Sequence, residues 1–185
     1  MWQNSTLRYG SLQIGLHWLT LFVLAAVYAA MELREFFPKG SDARNTMKDL
    51  HYMLGVTVLV LLALRLGARM SGPTPAIEPQ PARWQNLLAK LVHFALYAFM
   101  FGMPIAGWLL RSAEGDPIPF FGFGLPPLIG PDKAFAETVE ELHVTVGELG
   151  YYLIGLHAAA ALYHHYLVRD NTLTRMLPWT TRTGR

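Results

Sequence analysis

Apolar residues in this chain are grouped in four long blocks, rather than in the periodic stripes of a soluble domain. Blocks of about 20 mostly apolar residues are typical of helices that cross a lipid bilayer. The sequence therefore predicts an all-α, integral membrane four-helix bundle, formed by a single domain over residues 1–185. The predicted helices cover residues 12–33, 50–70, 87–111 and 142–168.

The connections between the blocks differ in composition. Residues 71–83 contain four prolines (Pro73, Pro75, Pro79 and Pro81), which favours an extended tether over a folded element. Residues 112–141 form a long connection that is apolar in its first half, and we expect it either to cover the outer mouth of the bundle or to form an interfacial aromatic belt. The first apolar run is longer than that of a cleaved secretory signal.

Basic residues are distributed unequally among the connections. When the N-terminus, residues 71–83 and the C-terminus share one side, that side has only Glu78 and Asp170 as acidic residues. Because basic connections stay in the cytoplasm, both termini are predicted to be cytoplasmic. The net charge of +2 then reflects membrane topology and does not indicate a nucleic-acid partner. The basic residues on this side are Arg8, Arg65, Arg69, Arg83, Lys90, Arg169, Arg175, Arg182 and Arg185.

Every histidine of the chain lies within or at the edge of a predicted helix. An ionisable group inside the bilayer is costly and usually marks a functional site, and a neutral imidazole is a common ligand of haem iron. The chain has no cysteine, which excludes thiolate-held clusters and covalently attached haem. The histidines are His17, His51, His93, His143, His157, His164 and His165.

The depths of these histidines suggest two haem sites. His143 and His157 are 14 residues apart on the fourth helix, a rise of about 21 Å with an angular offset of about 40°, so both face one side. His51 matches the depth of His143, and His17 matches that of His157, as two haems with paired axial histidines require. His93 lies at nearly the depth of His17, so depth alone leaves the partner of His157 open.

Other interpretations of the histidines are hydrogen-bonded packing, a proton path or a route for divalent metals. A transport route is expected to include carboxylates at mid-membrane, whereas the nearest one, Glu148, lies toward the outer end of the fourth helix. Gly55 and Gly147 each follow an outer histidine by four residues, where the missing side chain would let a flat macrocycle approach the backbone. The haem interpretation is therefore preferred.

Six segments of the chain are distinctive. They are His17-Trp18 and residues 28–34 (YAAMELR), 37–40 (FPKG), 150–157 (GYYLIGLH), 158–166 (AAAALYHHY) and 170–178 (DNTLTRMLP). These segments resemble the bacterial cytochrome b561 family, and the likeness spans nearly the whole chain. The chain is similar to four-helix, di-haem members described as superoxide oxidases, which pass electrons from superoxide to ubiquinone. The resemblance implies that His17 with His157 and His51 with His143 bind two haem b groups in the bacterial inner membrane.

The resemblance implies electron transfer from periplasmic superoxide through the two haems to ubiquinone. We expect His164, about 10 Å beyond His157 on the same helix face, and His93 to bind or protonate the quinone, or else to contact propionates or headgroups. Arg34 and Lys48 are the candidates for a basic funnel that attracts superoxide. The alternatives are a cytochrome b subunit that links another dehydrogenase, as an unidentified redox partner, to the quinone pool, and a redox-silent carrier.

Overall fold

Four long helices dominate the computed structural model, which describes residues 2, 4–6 and 8–178. Two arginines of the orientation argument, Arg182 and Arg185, lie outside the described residues. The helices are α1 (Ser11–Arg34), α2 (Asp42–Met70), α3 (Arg83–Glu114) and α4 (Lys133–Tyr163). The all-α class is confirmed, with one small addition, an antiparallel hairpin of β1 (Ile118–Phe120) and β2 (Phe123–Leu125).

The helices α2 and α4 begin well before the apolar blocks that predicted them, because polar side chains cap their first turns. The hydroxyl of Ser41 accepts the backbone N–H of Arg44 at 3.3 Å. The carboxylate of Asp132 accepts the N–H of Phe135 at 3.1 Å. Such caps satisfy backbone donors that have no partner within the helix, so a helix can start in polar sequence. The predicted starts at residues 50, 87 and 142 are therefore wrong.

Three of the four helices, α1, α2 and α3, are long and apolar enough to span a membrane within the described part of the chain. The helix α4 has the length but a lower hydropathy, since tyrosine, glycine and histidine interrupt its apolar residues. Large apolar side chains remain exposed on the helices, among them Phe22, Phe94 and Tyr152, at 66%, 73% and 77% exposure. Helices that are apolar on their outer faces in this way are suited to contact with lipid.

The chain forms two compact units, and each contains a segment of all four long helices. The first unit consists of the described parts of Met1–Leu19, Ala63–Tyr97 and Tyr151–Arg185. The second unit consists of Thr20–Leu62 and Ala98–Gly150. Each unit contains a set of histidines. The prediction of a single domain over 1–185 remains a prediction.

In the first unit, the proline-rich tether is fastened to the segment that follows α4. The backbone N–H of Asn171 donates to the carbonyl of Glu78 at 3.0 Å, and the N–H of Glu78 donates to the side-chain oxygen of Asn171 at 3.0 Å. The indole N–H of Trp18 donates to the carbonyl of Met176 at 2.7 Å. The tether has no helix or strand before Arg83, as predicted, but it is anchored rather than loose.

In the second unit, the core is formed by Val58, Leu61 and Leu62 of α2 together with Met100 of α3. The connection after α3 packs on the end of that helix. The indole N–H of Trp108 donates to the carbonyl of Pro126 at 3.0 Å, and the N–H of Leu128 donates to the hydroxyl of Ser112 at 3.0 Å. The hairpin exposes the rings of Phe121 and Phe123, which suits an interfacial aromatic belt.

Candidate functional site

A pair of histidines on α2 and α4 lies in the second unit. The ring centroids of His51 and His143 are 6.1 Å apart, with an angle of 75° between the ring planes. Bonds from a metal to imidazole nitrogen are about 2.0 Å long, so two imidazoles on opposite sides of one metal have centroids roughly 6 Å apart. The spacing of the two rings therefore suits a metal between them.

The hydrogen bonds of this pair also suit metal binding. Nδ1 of His51 donates to the carbonyl oxygen of Val27 at 3.1 Å, which leaves the lone pair on Nε2. A backbone carbonyl that fixes the tautomer in this way is typical of metal-binding histidines. Nδ1 of His143 is buried and has no hydrogen-bond partner within the described residues. The ring of His51 is thus held by a hydrogen bond that leaves Nε2 available to a metal, and Nδ1 of His143 is not used by any described group.

Gly107 of α3 provides the space in which the ring of His143 lies. A Cβ atom at position 107 would lie 3.3 Å from Cε1 of His143. Of the two glycines selected from the sequence, Gly55 has nothing within 4 Å of such an atom, whereas Gly147 would contact Met103 at 3.6 Å. Gly107 was not identified from the sequence, because residue spacing predicts which side chains share a face of one helix and not which residues of α3 and α4 meet.

Replacing Gly107 by alanine should give a lower melting temperature than replacing Gly102 by alanine, because both changes gain helix propensity and only the first crowds a ring. The new methyl group must displace the ring of His143 by a few tenths of an ångström, a mild form of overpacking that costs about 1 kcal/mol. That loss corresponds to a difference in Tm of about 2–4 °C between the two variants for a chain of this size. Gly102→Ala, on the same helix with nothing within 4 Å, is the matched control. Equal melting curves for the two variants would show that Gly107 does not position the ring.

Two histidines flank His157 in the first unit. The ring centroid of His17 is 6.3 Å from that of His157, and the centroid of His93 is 5.4 Å from it. The distance between His17 and His157 is close to the 6.1 Å between His51 and His143, whereas the distance between His93 and His157 is shorter. The geometry therefore favours His17 as the partner of His157 across a metal, with His93 as a neighbour.

Arg65 of α2 contacts the same cluster. Its Nη2 lies 3.1 Å from Nδ1 of His17, and its Nε is buried without a partner in the described part of the chain. A guanidinium group can only donate, so Nδ1 of His17 is the acceptor and the ring proton lies on Nε2 in this arrangement. The sequence placed Arg65 only among the basic residues of the cytoplasmic side and did not predict this contact.

His164 is held by a carboxylate that was not assigned to the site from the sequence. Nδ1 of His164 lies 2.5 Å from Oδ2 of Asp170, whose side chain is completely buried. The other carboxylate oxygen accepts the N–H of Thr172 at 2.8 Å. Burial raises the pKa of Asp170, but the hydrogen bonds from His164 and Thr172 outweigh it and hold the pKa below its usual range. Asp170 is therefore a carboxylate at neutral pH.

The two residues proposed for a basic funnel differ in their surroundings. Arg34 forms an ion pair with Glu35 at 2.7 Å, and Arg44 pairs with the same carboxylate at 3.0 Å. Hydrogen bonds from Arg34 and Arg44 lower the pKa of Glu35, so it stays ionised and offsets their charge. Lys48 forms no ion pair with any residue that the structure describes.

No group of three or more histidine, aspartate or glutamate side chains able to hold a metal ion occurs among residues 2, 4–6 and 8–178. Paired histidines are the arrangement that haem needs, because the porphyrin supplies the four remaining ligands of the iron. The unpartnered Nδ1 of His143, the space beside Gly107 and the two centroid distances fit such a group.

Comparison with known proteins agrees with this chemistry. A family model described as prokaryotic cytochrome b561 matches residues 8–179. Cytochrome b561 homolog 1 of Escherichia coli K12 is 42% identical, over 92% of this chain and 97% of its own length. The probable superoxide oxidase CybB of Yersinia pestis is 36% identical, over 92% and 96%. Cytochrome b561 homolog 2 of Escherichia coli K12 is 29% identical, over 94% and 93%.

Proposed function

The chain belongs to the prokaryotic cytochrome b561 family, and we propose that within this family it is a superoxide:ubiquinone oxidoreductase. Family membership makes it a multi-pass protein of the bacterial inner membrane and an electron-transfer cytochrome that uses b-type haem. The proposal adds the donor, periplasmic superoxide, the acceptor, ubiquinone, and two haems with paired histidine ligands. The observation that carries it is the presence of a histidine pair at metal-bridging distance in each unit.

The proposed reaction balances with the protein as an intermediary for electrons. Two superoxide anions lose one electron each and become two molecules of O2, and ubiquinone takes up these two electrons with two protons to form ubiquinol. Haem b held by these histidine pairs would supply one-electron transfer. The chain itself must therefore hold the ligand rings, attract the anion, bind the quinone and deliver protons.

The ligand rings are held by different contacts in the two units. We assign His51 and His143 to one haem, with the Val27 carbonyl keeping Nε2 of His51 available. We assign His17 and His157 to the other haem. If a haem were held through Nε2 of His17, the ring proton would lie on Nδ1, which could then not accept the hydrogen bond from Arg65. The guanidinium of Arg65 would in that case need another acceptor.

The quinone is assigned to the first unit, with His164 and His93 as its polar partners. His164 is fixed by Asp170, and the ring of His93 lies beside that of His157. A quinone carbonyl needs a hydrogen-bond donor that can also supply a proton, and imidazole serves both purposes near neutral pH. This assignment keeps the two histidines that were expected from the sequence and adds the carboxylate that contacts His164.

The donor end is supported mainly by the name of the Yersinia pestis relative, a probable superoxide oxidase. Charge adds less support, because the ion pair with Glu35 offsets the charge of Arg34. Lys48 is the better of the two candidates for attracting the anion, since no described carboxylate pairs with it.

Rapid mixing of the purified protein with superoxide and a ubiquinone analogue tests the proposed function. Quinol should form at a rate that depends on the protein, with about one quinol for every two superoxide anions consumed. Protein boiled to release its haem is the control. If the protein accepts electrons from dithionite and passes them to quinone but gives no quinol from superoxide, the alternative of a subunit linked to another dehydrogenase replaces the proposal.

Replacing His164 by alanine should slow quinone reduction at least tenfold while the haem content stays intact. The reason is the loss of a hydrogen bond to the quinone and of its proton donor, and one bond worth about 1.4 kcal/mol already corresponds to a factor of ten. The rate is measured by mixing the reduced protein with a ubiquinone analogue. His165→Ala is the matched control, since the ring of His165 lies against Tyr166 instead. Loss of haem from the His164 variant would contradict the quinone assignment.

A further inference from the structure

We propose that Asp170 is the positioning residue of the quinone site, keeping a proton on Nδ1 of His164 so that Nε2 faces the quinone and donates to it when the ring carries a second proton. This inference rests on the proposed function, because His164 is the quinone partner there. It assigns a role to a residue that was not assigned to the site from the sequence. It also specifies which nitrogen of His164 reacts.

The backbone at the end of α4 brings the two side chains together. α4 passes into a π-helical segment, His164–Val168, which ends at Arg169 in the left-handed conformation with φ 60° and ψ 38°. A residue other than glycine adopts this conformation rarely and at some cost in free energy. The turn directs the N–H of Asp170 back to the carbonyl of His164 at 3.2 Å and places its carboxylate at Nδ1 of the same residue. One turn thus makes two contacts with one histidine.

The carboxylate determines which nitrogen of the imidazole is protonated. Asp170 is ionised at neutral pH and can only accept, so Nδ1 of His164 must carry a proton. Arg175 also interacts electrostatically with Asp170, and the ring of Tyr163 lies 5.9 Å from that of His164. A carboxylate behind a histidine orients the ring and stabilises its protonated form, as in catalytic triads.

The proton transfer follows from this arrangement. Imidazolium at His164 gives its Nε2 proton to the reduced quinone oxygen and becomes the neutral ring with its proton on Nδ1. The neutral ring then takes up a proton from the aqueous phase, as hydronium, at Nε2, and a second cycle supplies the second proton of ubiquinol. Asp170 stays a carboxylate throughout, so it acts through His164 and does not touch the quinone.

Contacts other than those of Asp170 also attach the segment in which it lies. Asn171 and Glu78 exchange two hydrogen bonds, and Trp18 binds the carbonyl of Met176. The side chain of Arg175 also donates to the carbonyl of Pro75 at 2.5 Å. With these contacts in place, burying a carboxylate would be costly if its only purpose were attachment. Its position against His164 instead explains why a carboxylate is present.

The variant Asp170→Asn tests the role in catalysis. With haem-loaded protein, kcat for reduction of a ubiquinone analogue should fall about tenfold, the lower end of what the carboxylate behind a histidine contributes. KM and haem content should stay unchanged. Glu78→Gln is the control, because it removes a carboxylate from the same unit whose side chain is exposed. A kcat equal to that of the unmodified protein would overturn the inference.

The tautomer is measured separately by 15N NMR of histidine-labelled protein, with His164→Ala used to assign the signal. The unmodified protein should show neutral His164 protonated at Nδ1, and Asp170→Asn should shift the population toward Nε2. If neutral His164 of the unmodified protein carries its proton on Nε2 instead, the inference is overturned. This result does not depend on whether the Asp170→Asn variant folds. If His164→Ala leaves quinone reduction unchanged, the proposed site fails. If His164→Ala slows quinone reduction and Asp170→Asn does not, the quinone site stands and only the role of Asp170 is contradicted.

Discussion

Replacing His143 by alanine should halve the haem content, from about two haems per chain to about one. His143 and His51 are the only histidines of the described second unit, so no other imidazole in that unit can take over the metal. Removal of one axial histidine leaves a low-spin haem without its partner ligand and weakens its retention. The measurement is the haem-to-protein ratio of the purified protein, with the reduced-minus-oxidised spectrum of the haem that remains.

The same measurement decides between His17 and His93 as the partner of His157. His157→Ala and His17→Ala should each lose the haem of the first unit, whereas His93→Ala should retain it. The centroid distances of 6.3 Å for His17 and 5.4 Å for His93 are the basis for this expectation. His165→Ala is the control. Loss of haem from the His93 variant and retention in the His17 variant would reverse the assignment. A colourless unmodified protein would contradict both haem sites.

Replacing Gly150 by alanine should destabilise the protein more than replacing Gly107 by alanine. A Cβ atom there would overlap the hydroxyl of Tyr28 and lie 2.5 Å from Cζ of Phe99. The Tyr28 hydroxyl donates to the carbonyl of Gly147 at 2.7 Å, so it cannot move without losing that bond. Overpacking of this severity costs about 3 kcal/mol, so the variant should melt roughly 6–12 °C below Gly155→Ala, which gains the same helix propensity without the overlap.

Gly155→Ala is the matched control for this prediction, because it lies on the same helix with nothing within 4 Å of the added atom. Alanine favours the helix over glycine by about 1 kcal/mol, so this variant should melt at the same temperature as the unmodified protein or higher. Thermal unfolding followed by circular dichroism in detergent measures both variants. Similar melting temperatures for the two would mean that Tyr28 and Phe99 can move aside, and that α4 is not held tightly there.

Much of the architecture could be predicted from local patterns. The four apolar blocks located all four long helices, and the proline-rich tether was correctly predicted to lack regular structure. The helix starts were wrong because hydropathy reports where a chain can meet lipid, whereas a helix starts where its free N–H groups find acceptors. Ser41 and Asp132 provide those acceptors in polar sequence, outside the apolar blocks.

Helical periodicity and depth identified the partner of His143 but not that of His157. Spacing and depth brought His51 and His143 together, and the structure places their rings 6.1 Å apart. At the other level, depth left His17 and His93 as equal candidates for His157. Their distances differ because they depend on how α1 and α3 are rotated about their own axes, which neighbouring side chains determine.

The sequence by itself determined an all-helical chain with long apolar segments and histidines at two levels, because hydropathy and helical periodicity are properties of neighbouring residues. Only the tertiary structure decided that Gly107 makes room for His143 and that Gly150 makes room for Tyr28, since those residues meet across different helices. It also decided that Asp170 supports His164. A left-handed turn at Arg169 brings those two side chains together, and no helical spacing predicts that contact.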